Sequence, residues 1–492
     1  MKNNFSIENL FNQAIKNHQT SKYEQAIKLY KQILAINENI AAVHNNIGLI
    51  YYSYKKFNLA LKFYKNALKI DNKFIEAHNN IAIIYEKLEQ FENAIFHCQE
   101  AIKINPEFSK PYNNLGSIYE ELGEFKKAVS AYKKSCELQP DSIEALNNLG
   151  SIYRYLGFYE KAISYYNAAI KIDNNYIKAK KNLGLVHLLL SNFKKGFEEF
   201  EWRILEKDKE EYRNLNIKSS LWKGENLDGK TILILSEQGL GDVIQFSRYI
   251  FYIKKKYNVK IIFKTYKKLL HLFFNSKIDL IVGKDKIPNH DYHIYLMSLM
   301  KFHYFEEKKL LKEYDFIKSN YNLFLKWKKK LSKIKSIKIG INWQGGKKFK
   351  ADKIRSIPLI YFENLFDIKG IEFISLQKDS GLQQLSNFKF KNKIHNFSSI
   401  VDNRNNAFED TIEIIKNLDL VITSCTSIAH LSSTMGKKTW ILLNLHSDWR
   451  WFLKSKNTVW YKNTELIRQK KEGDWEEVFK IVKEKIIKDF NL

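Results

Sequence analysis

Only three cysteines occur in the 492 residues, Cys98, Cys136 and Cys425, and they stand far apart. No paired spacing exists to build a disulfide framework or a structural zinc site, so a reducing compartment is expected. Arginine is also scarce. The net charge of +27 comes almost entirely from lysine spread along the whole chain, with no arginine-rich arm and no basic, aromatic-studded sheet motif. Such a bias reads as the base composition of a genome, and nucleic acid is not the expected partner, although a diffuse positive field still attracts anions. No apolar run approaches the ~18 residues of a membrane span, and the amino terminus, MKNNFSIENLF, has no basic segment followed by an apolar core. A cytoplasmic location is the expectation. What is present is 45% hydrophobic and 14% aromatic content, enough for two or three cores in a multidomain globular chain.

From about residue 7 to 210 the chain repeats itself every 34 residues. Small residues recur as Ala14, Gly48, Ala82, Gly116, Gly150 and Gly184, and again as Ala26, Ala60, Ala94, Ala128, Ala162 and Gly196, where two helices must approach closely. Aromatics recur as Tyr23, Phe57, Phe91, Phe125, Tyr159 and Phe193, filling the seam between neighbours. The period and these positions resemble the tetratricopeptide repeat, a helix-turn-helix unit. They divide into six repeats, 7–40, 41–74, 75–108, 109–142, 143–176 and 177–210. Asn46, Asn80, Asn114, Asn148 and Asn182 fall at one position of successive first helices, and a second asparagine precedes the first four. On the concave face of a solenoid these amides form a ladder suited to an extended peptide backbone; alternatively they hold adjacent units together. In the sixth repeat Lys181 replaces the first member of the pair, and the charged stretch FEWRILEKDKEEYRN caps the array, with a linker at 211–229.

The stretch TILILSEQGLGDVIQF, Thr231 to Phe246, reads as an apolar strand, a glycine turn at Gly239 and Gly241, and a helix capped by Asp242. That is the opening of a doubly wound α/β domain, whose ligands lie at the carboxyl ends of strands. A third glycine and a Walker lysine are both missing, which disfavours a dinucleotide dehydrogenase or an ATPase. Strands expected at 231–236, 259–265, 278–282 and 292–296 alternate with helices and make a first lobe, 230–330. A second lobe, 335–492, carries strands at 337–343, 371–376, 393–397, 419–424 and 439–443. The expected fold is therefore an α-solenoid followed by two Rossmann-like α/β lobes with a cleft between them.

EQGLGDVIQFSRY (237–249), GINWQGG (340–346) with Arg355 and Ser356, LDLVITSCTSIAHLSSTMGKKTWILL (418–443) and DWRWF with VWYKNTELIRQ (448–469) resemble bacterial tetratricopeptide-fused glycosyltransferases related to the heptosyltransferases, which have the GT-B fold. The layout is also similar to that of protein O-GlcNAc transferases, whose catalytic halves carry other motifs. The resemblance implies transfer of a sugar from a nucleotide-diphosphate sugar, with inversion, to a protein or glycan-carrier acceptor docked by the repeats. Asp242 then matches the family's base, against the plain role of a helix cap, with Glu237 in reserve. Gly241, Thr426, Ser427 and His430 match its donor-binding positions, and the diphosphate falls at the start of SIAHLSSTMG, where helix amides attract anions. Arg355 and Arg450 are the chosen phosphate partners because a guanidinium fork binds bidentately. Trp449 and Trp451 suit base stacking or, more simply, a core. Cys425 stands where the family often has aspartate.

No cofactor is expected beyond the nucleotide sugar as co-substrate, and no metal, since the lobes hold no DxD pair and His290 and His293 face opposite sides of a strand. The alternative function is a non-catalytic scaffold with a degenerate transferase-like domain.

Overall fold

The computed structural model describes residues 2–206, 215, 217–274, 276–283, 286–303, 316–317, 319–346 and 352–492. It divides into two compact units, Met1–Leu183 and Gly184–Leu492.

The first unit is built from paired helices: α1 (Lys2–Gln19), α2 (Tyr23–Ile36), α3 (Ala41–Ser53), α4 (Phe57–Ile70), α5 (Ile75–Lys87), α6 (Phe91–Ile104), α7 (Ser109–Leu122), α8 (Phe125–Leu138), α9 (Ile143–Tyr155) and α10 (Tyr159–Ile172). α11 (Ile177–Leu189) runs across the unit boundary. Glycine in the first helix of a repeat makes room for a tyrosine of the second. A Cβ on Gly48 would lie 2.5 Å from the Tyr64 ring, and one on Gly116 would lie 2.5 Å from the Tyr132 ring. The turn between paired helices is left-handed in every repeat, at Ser21, Lys55, Glu89, Gly123, Gly157 and Ser191.

The asparagines tie one repeat to the next. The side-chain amide of Asn80 donates to Asn45 (2.9 Å), Asn114 to Asn79 (2.8 Å), Asn148 to Asn113 (3.1 Å) and Asn182 to Asn147 (3.0 Å). The two members of the pair therefore play different parts, the second of one repeat reaching back to the first of the repeat before. Asn114→Ala orphans the oxygen of the buried Asn79. The expected cost is about 1–2 kcal/mol of solenoid stability, read from a denaturant melt.

In the second unit α12 (Phe193–Phe200) is followed by a 3-10 turn, Glu201–Leu205. The sixth repeat's second helix is thus shorter than its predecessors, and residues 207–210 lie outside the described residues. A Cβ on Gly184 would sit 2.7 Å from the backbone nitrogen of Phe200, so only glycine admits this crossing.

The first lobe has β1 (Ser220–Leu221), β2 (Thr231–Leu235), β3 (Lys260–Lys264), β4 (Leu280–Val282) and β5 (Tyr292–Tyr295) in the parallel order β1-β5-β2-β3-β4. α13 (Leu240–Phe246), α14 (Arg248–Lys256) and α15 (Leu299–His303) belong to it. β1 lies inside the expected linker, pairing Ser220 with Tyr292; two residues of pairing leave too little periodicity to be seen in sequence.

The second lobe begins with α16 (Tyr321–Leu331) and carries β6 (Ile337–Asn342), α17 (Asp352–Arg355), β7 (Ile371–Ser375), α18 (Leu382–Ser386), β8 (Ile394–His395), α19 (Glu409–Lys416), β9 (Leu420–Thr423), α20 (Ser427–Thr434), β10 (Thr439–Leu443), β11 (Thr464–Arg468) and α21 (Trp475–Phe490). Its parallel order is β11-β10-β9-β6-β7-β8. Numbered along the lobe this is 3-2-1-4-5-6, the doubly wound arrangement, with the order reversing between β6 and β9. β11 was not foreseen among the strands. The core packs Trp343, Trp440, Phe362, Phe373 and Phe479 against the sheet.

Candidate functional site

In an open parallel sheet the helices after two neighbouring strands go to opposite faces at the point where strand order reverses, and a crevice opens above their carboxyl ends. The second lobe has its crevice above β6 and β9, and there a cavity of about 430 Å3 lies. Asn342 at the end of β6, Gln377 after β7 and Thr426 after β9 line it, together with Lys268 and Leu240 from the first lobe.

Side-chain amides build its floor. The Gln377 oxygen accepts from the Asn342 amide (3.0 Å) and from the backbone of Trp343 (3.1 Å) and Gln344 (3.0 Å), while its nitrogen donates to the carbonyls of Gln344 (2.8 Å) and Ser380 (2.6 Å). One glutamine thus holds the GINWQGG loop and the loop after β7 together. The Thr426 hydroxyl donates to Asn342 Oδ1 at 2.8 Å, tying the start of α20 to β6.

The wall opposite is the segment 402–408. The Asp402 carboxylate accepts from the backbone of Asp410 (2.7 Å) and the Thr411 hydroxyl (2.5 Å), anchoring the segment to the start of α19. Burial raises the Asp402 pKa, opposed by these bonds. Lys378 donates to the Val401 (2.6 Å) and Asp402 (2.7 Å) carbonyls, and the Ala407 amide reaches the Lys268 carbonyl across the lobes at 2.9 Å. Three cavity-lining residues, Asp379 (φ 58°), Asp402 (φ 50°) and Phe408 (φ 70°), have left-handed backbone. Such strain persists where its surroundings impose it, and it gathers at ligand sites.

Of the residues singled out in sequence, Thr426 and Ser427 line this cavity. Asp242, Arg450, His430 and Gly241 gather instead in a cluster beside it, and Arg355 lies against the cavity-lining Gly345. Asp242 accepts from the Gly239 amide (2.9 Å) and from Arg450 Nη2 (2.5 Å), so both of its oxygens are engaged and it also caps α13. Arg450 bonds Asp448 at 2.7 Å and lies over the rings of Trp449 and Phe246. Burial works against its charge, but the carboxylates of Asp242 and Asp448 outweigh that and raise its pKa. Gly241 is a close approach rather than a cradle: a Cβ there would lie 2.8 Å from the His430 ring and 3.3 Å from the Ser427 Cα. Arg355 donates to Asp352 at 3.0 Å and crosses Gly345, where a Cβ would meet its guanidinium at 2.2 Å. Glu237, the reserve base, is buried against Arg203 and cannot meet an acceptor. Trp449 and Trp451 are buried, which favours the core role.

His430 stacks on Trp451 at 5.0 Å and pairs with the Tyr461 hydroxyl at 2.9 Å. Burial, and then Arg450, Arg248 and Arg355, push its pKa well below 6.5. It is therefore a neutral ring in the folded protein across the physiological range. Because the unfolded chain binds that proton near pH 6.5 and the folded chain does not, stability is full above this pH and falls as pH drops below it. The slope from this group is up to about 1.4 kcal/mol per pH unit. Urea melts at pH 7 and pH 5.5 should show His430→Gln losing less stability on acidification than the wild type.

Cys425 receives the Trp451 indole N–H at 2.9 Å, and burial pushes its thiol up to about 11, which favours the protonated thiol at neutral pH. Only His293 lies on β5, where it pairs with the Ser219 hydroxyl at 3.1 Å; His290 precedes the strand, contrary to the expectation that both stand on it, and pairs with the Pro288 carbonyl at 2.8 Å. Sequence reasoning missed Gln377, Lys268, Asp402 and Phe408. The usable signal was position alone: Gln377 lies two residues after the buried strand β7.

Tetratricopeptide repeat profiles match residues 41–74, 75–108 and 109–142, and a second such profile matches 143–176. The first unit is thus a solenoid of tetratricopeptide repeats. Among solved structures, MamA is 25% identical over 33% of this chain and 94% of its own, with a TM-score of 0.29. YrrB, described as a tetratricopeptide protein with an unusual peptide-binding site, is 21% identical over 37% of this chain and 94% of its own, with a TM-score of 0.29. PilF of Pseudomonas aeruginosa is 17% identical over 43% of this chain and 97% of its own, with a TM-score of 0.38. No curated protein matches the chain. Among the described residues no helix is long and apolar enough to cross a membrane.

Proposed function

We propose that the second unit is an inverting, metal-independent glycosyltransferase of the GT-B kind, and that the tetratricopeptide repeats dock its protein or glycan-carrier acceptor. The observation that carries this reading is the cavity at the carboxyl ends of β6, β7 and β9. Polar amides floor it, the start of α20 opens into it, and Lys268 and Arg404 stand on its rim. A departing nucleoside diphosphate needs its charge neutralised without water, which unpaired helix amides and fixed cations supply.

In this reading the acceptor hydroxyl gives its proton to Asp242 as its oxygen bonds the anomeric carbon, and the bond from that carbon to the diphosphate oxygen breaks on the opposite face. Asp242 is held in one orientation by the Gly239 amide and Arg450. The asparagine-bearing face of the repeats receives the peptide in this reading, while the amides of Asn80, Asn114, Asn148 and Asn182 join one repeat to the next. Cytoplasmic location and nucleotide-sugar use belong to the same proposal.

A second reading is favoured by one observation, the engagement of both Asp242 oxygens. It makes the lobes a ligand-holding scaffold without turnover. Hydrolysis of nucleotide sugars by the purified chain separates the two, with Asp242→Asn keeping the shape and one acceptor. Loss of most of the wild-type rate in the variant supports the transferase; equal rates contradict catalysis as assigned here.

A further inference from the structure

The first lobe has a crevice of its own. Its strand order reverses between β2 and β5, so a crevice belongs above their carboxyl ends. The chain fills that place with its own side chain. Arg203, from the 3-10 turn after α12, is 1% exposed and meets Glu237, two residues beyond β2, through a fork of 3.0 and 2.7 Å. The same guanidinium donates to Ser298 after β5 (2.8 Å), to Glu201 (2.6 Å) and to the Phe200 carbonyl (3.1 Å). All five of its N–H groups are thereby used. Glu237 also accepts from the Met297 amide at 3.2 Å, and Ser298 donates to Glu201 at 2.9 Å.

We propose that Arg203 is a positioning residue: as an intramolecular ligand of the first lobe's crevice, it fixes the loop that carries Asp242. The loop leaves Glu237 with little freedom. Gln238 has left-handed backbone (φ 64°), its carbonyl accepts from the Tyr266 hydroxyl at 2.5 Å, and the Gly239 amide bonds Asp242 at 2.9 Å. Anchoring Glu237 therefore fixes the start of a short loop whose next two residues, Gln238 and Gly239, are held by Tyr266 and Asp242. A buried ion pair is a poor source of stability, since apolar residues of similar volume usually serve as well. A five-bond fork holding three separate segments serves geometry. The catalytic part of this inference rests on the transferase reading; the geometric part does not.

The test uses the full chain with Arg203→Met and Glu237→Leu together, which removes both charges and keeps the volume. The folded variant is expected to keep most of its stabilisation by nucleoside diphosphates, because the floor of their cavity is built by Asn342, Gln377 and Thr426 of the second lobe, with only Leu240 and Lys268 coming from the first. Amide exchange over residues 236–242 should accelerate about tenfold or more, as an unanchored loop opens locally. Turnover of nucleotide sugar should drop about tenfold in kcat with KM nearly unchanged, the signature of lost positioning. Should the double variant fail to fold, Glu237→Gln, which keeps the shape and loses the charge, is read by the same exchange. Unchanged exchange in a folded variant overturns the inference whether or not the wild type turns over. Faster exchange with no wild-type turnover leaves the clamp standing and rejects the transferase reading alone.

Discussion

Arg450→Met should lower the stability of the second unit by about 3 kcal/mol in denaturant melts, because it strands the carboxylates of Asp242 and Asp448. The value sits at the lower end for a broken buried pair because Asp242 keeps 19% and Asp448 35% of its side-chain surface exposed, so water takes up part of the orphaned charge. Packing adds to the loss, since the guanidinium lies 4.7 Å from the Trp449 ring centre and 5.5 Å from that of Phe246. Asp242→Asn in the same background should restore part of it, and a double-mutant cycle reads the coupling directly. Equal losses in the single and double variants would show that the pair contributes through packing alone.

Trp343→Ala is expected to cost about 3–5 kcal/mol, the usual range for truncating a buried tryptophan. The side chain is fully buried beneath the GINWQGG loop, and its indole N–H donates to the Gly381 carbonyl at 3.3 Å. Its neighbours belong to the sheet and to the helices on that face, so the void cannot close by a loop movement. The backbone of the loop, pinned by Gln377, is part of the cavity floor. The variant should therefore also lose nucleotide affinity, whereas Trp440→Ala, in the same core but away from that loop, should lose stability alone.

The solenoid was legible because small and aromatic residues recur in one unbroken register. The part played by the asparagines was only half legible. Each bond joins residues 35 apart, one more than the repeat, so the doubling of asparagine is itself the signal. The two lobes were legible from apolar runs bounded by glycine, which is why the observed β10 coincides with the expected 439–443. β1 and β11 escaped because each lies in a polar stretch, Ser220–Leu221 after IKS and Thr464–Arg468 with charged residues at two of its five positions.

The site was harder to read. Thr426 and Ser427 were placed by helix-start chemistry, which is local. Arg203 and Glu237 are separated by 34 residues and much of the first lobe's entry, and nothing in either neighbourhood names the other. Asp242 and Arg450, 208 residues apart, were each noticed for their own chemistry, but their mutual neutralisation is a tertiary fact. The left-handed backbone at Asp402 and Phe408 carries no sequence mark, since neither is glycine.

The central claim is that the crevice above β6 and β9 holds a nucleoside diphosphate. Gly346 lines that cavity, and among the described residues a Cβ there meets nothing within 4 Å, so Gly346→Trp brings an indole to the cavity wall without a clash at the Cβ. In thermal melts with a panel of nucleoside diphosphates, the account predicts that at least one raises the wild-type melting temperature by several degrees at about 100-fold excess over its Kd, a gain of about 2.7 kcal/mol. The same nucleotide should leave the folded Gly346→Trp chain unmoved. Equal shifts in both proteins, or none in the wild type with any member of the panel, would contradict it.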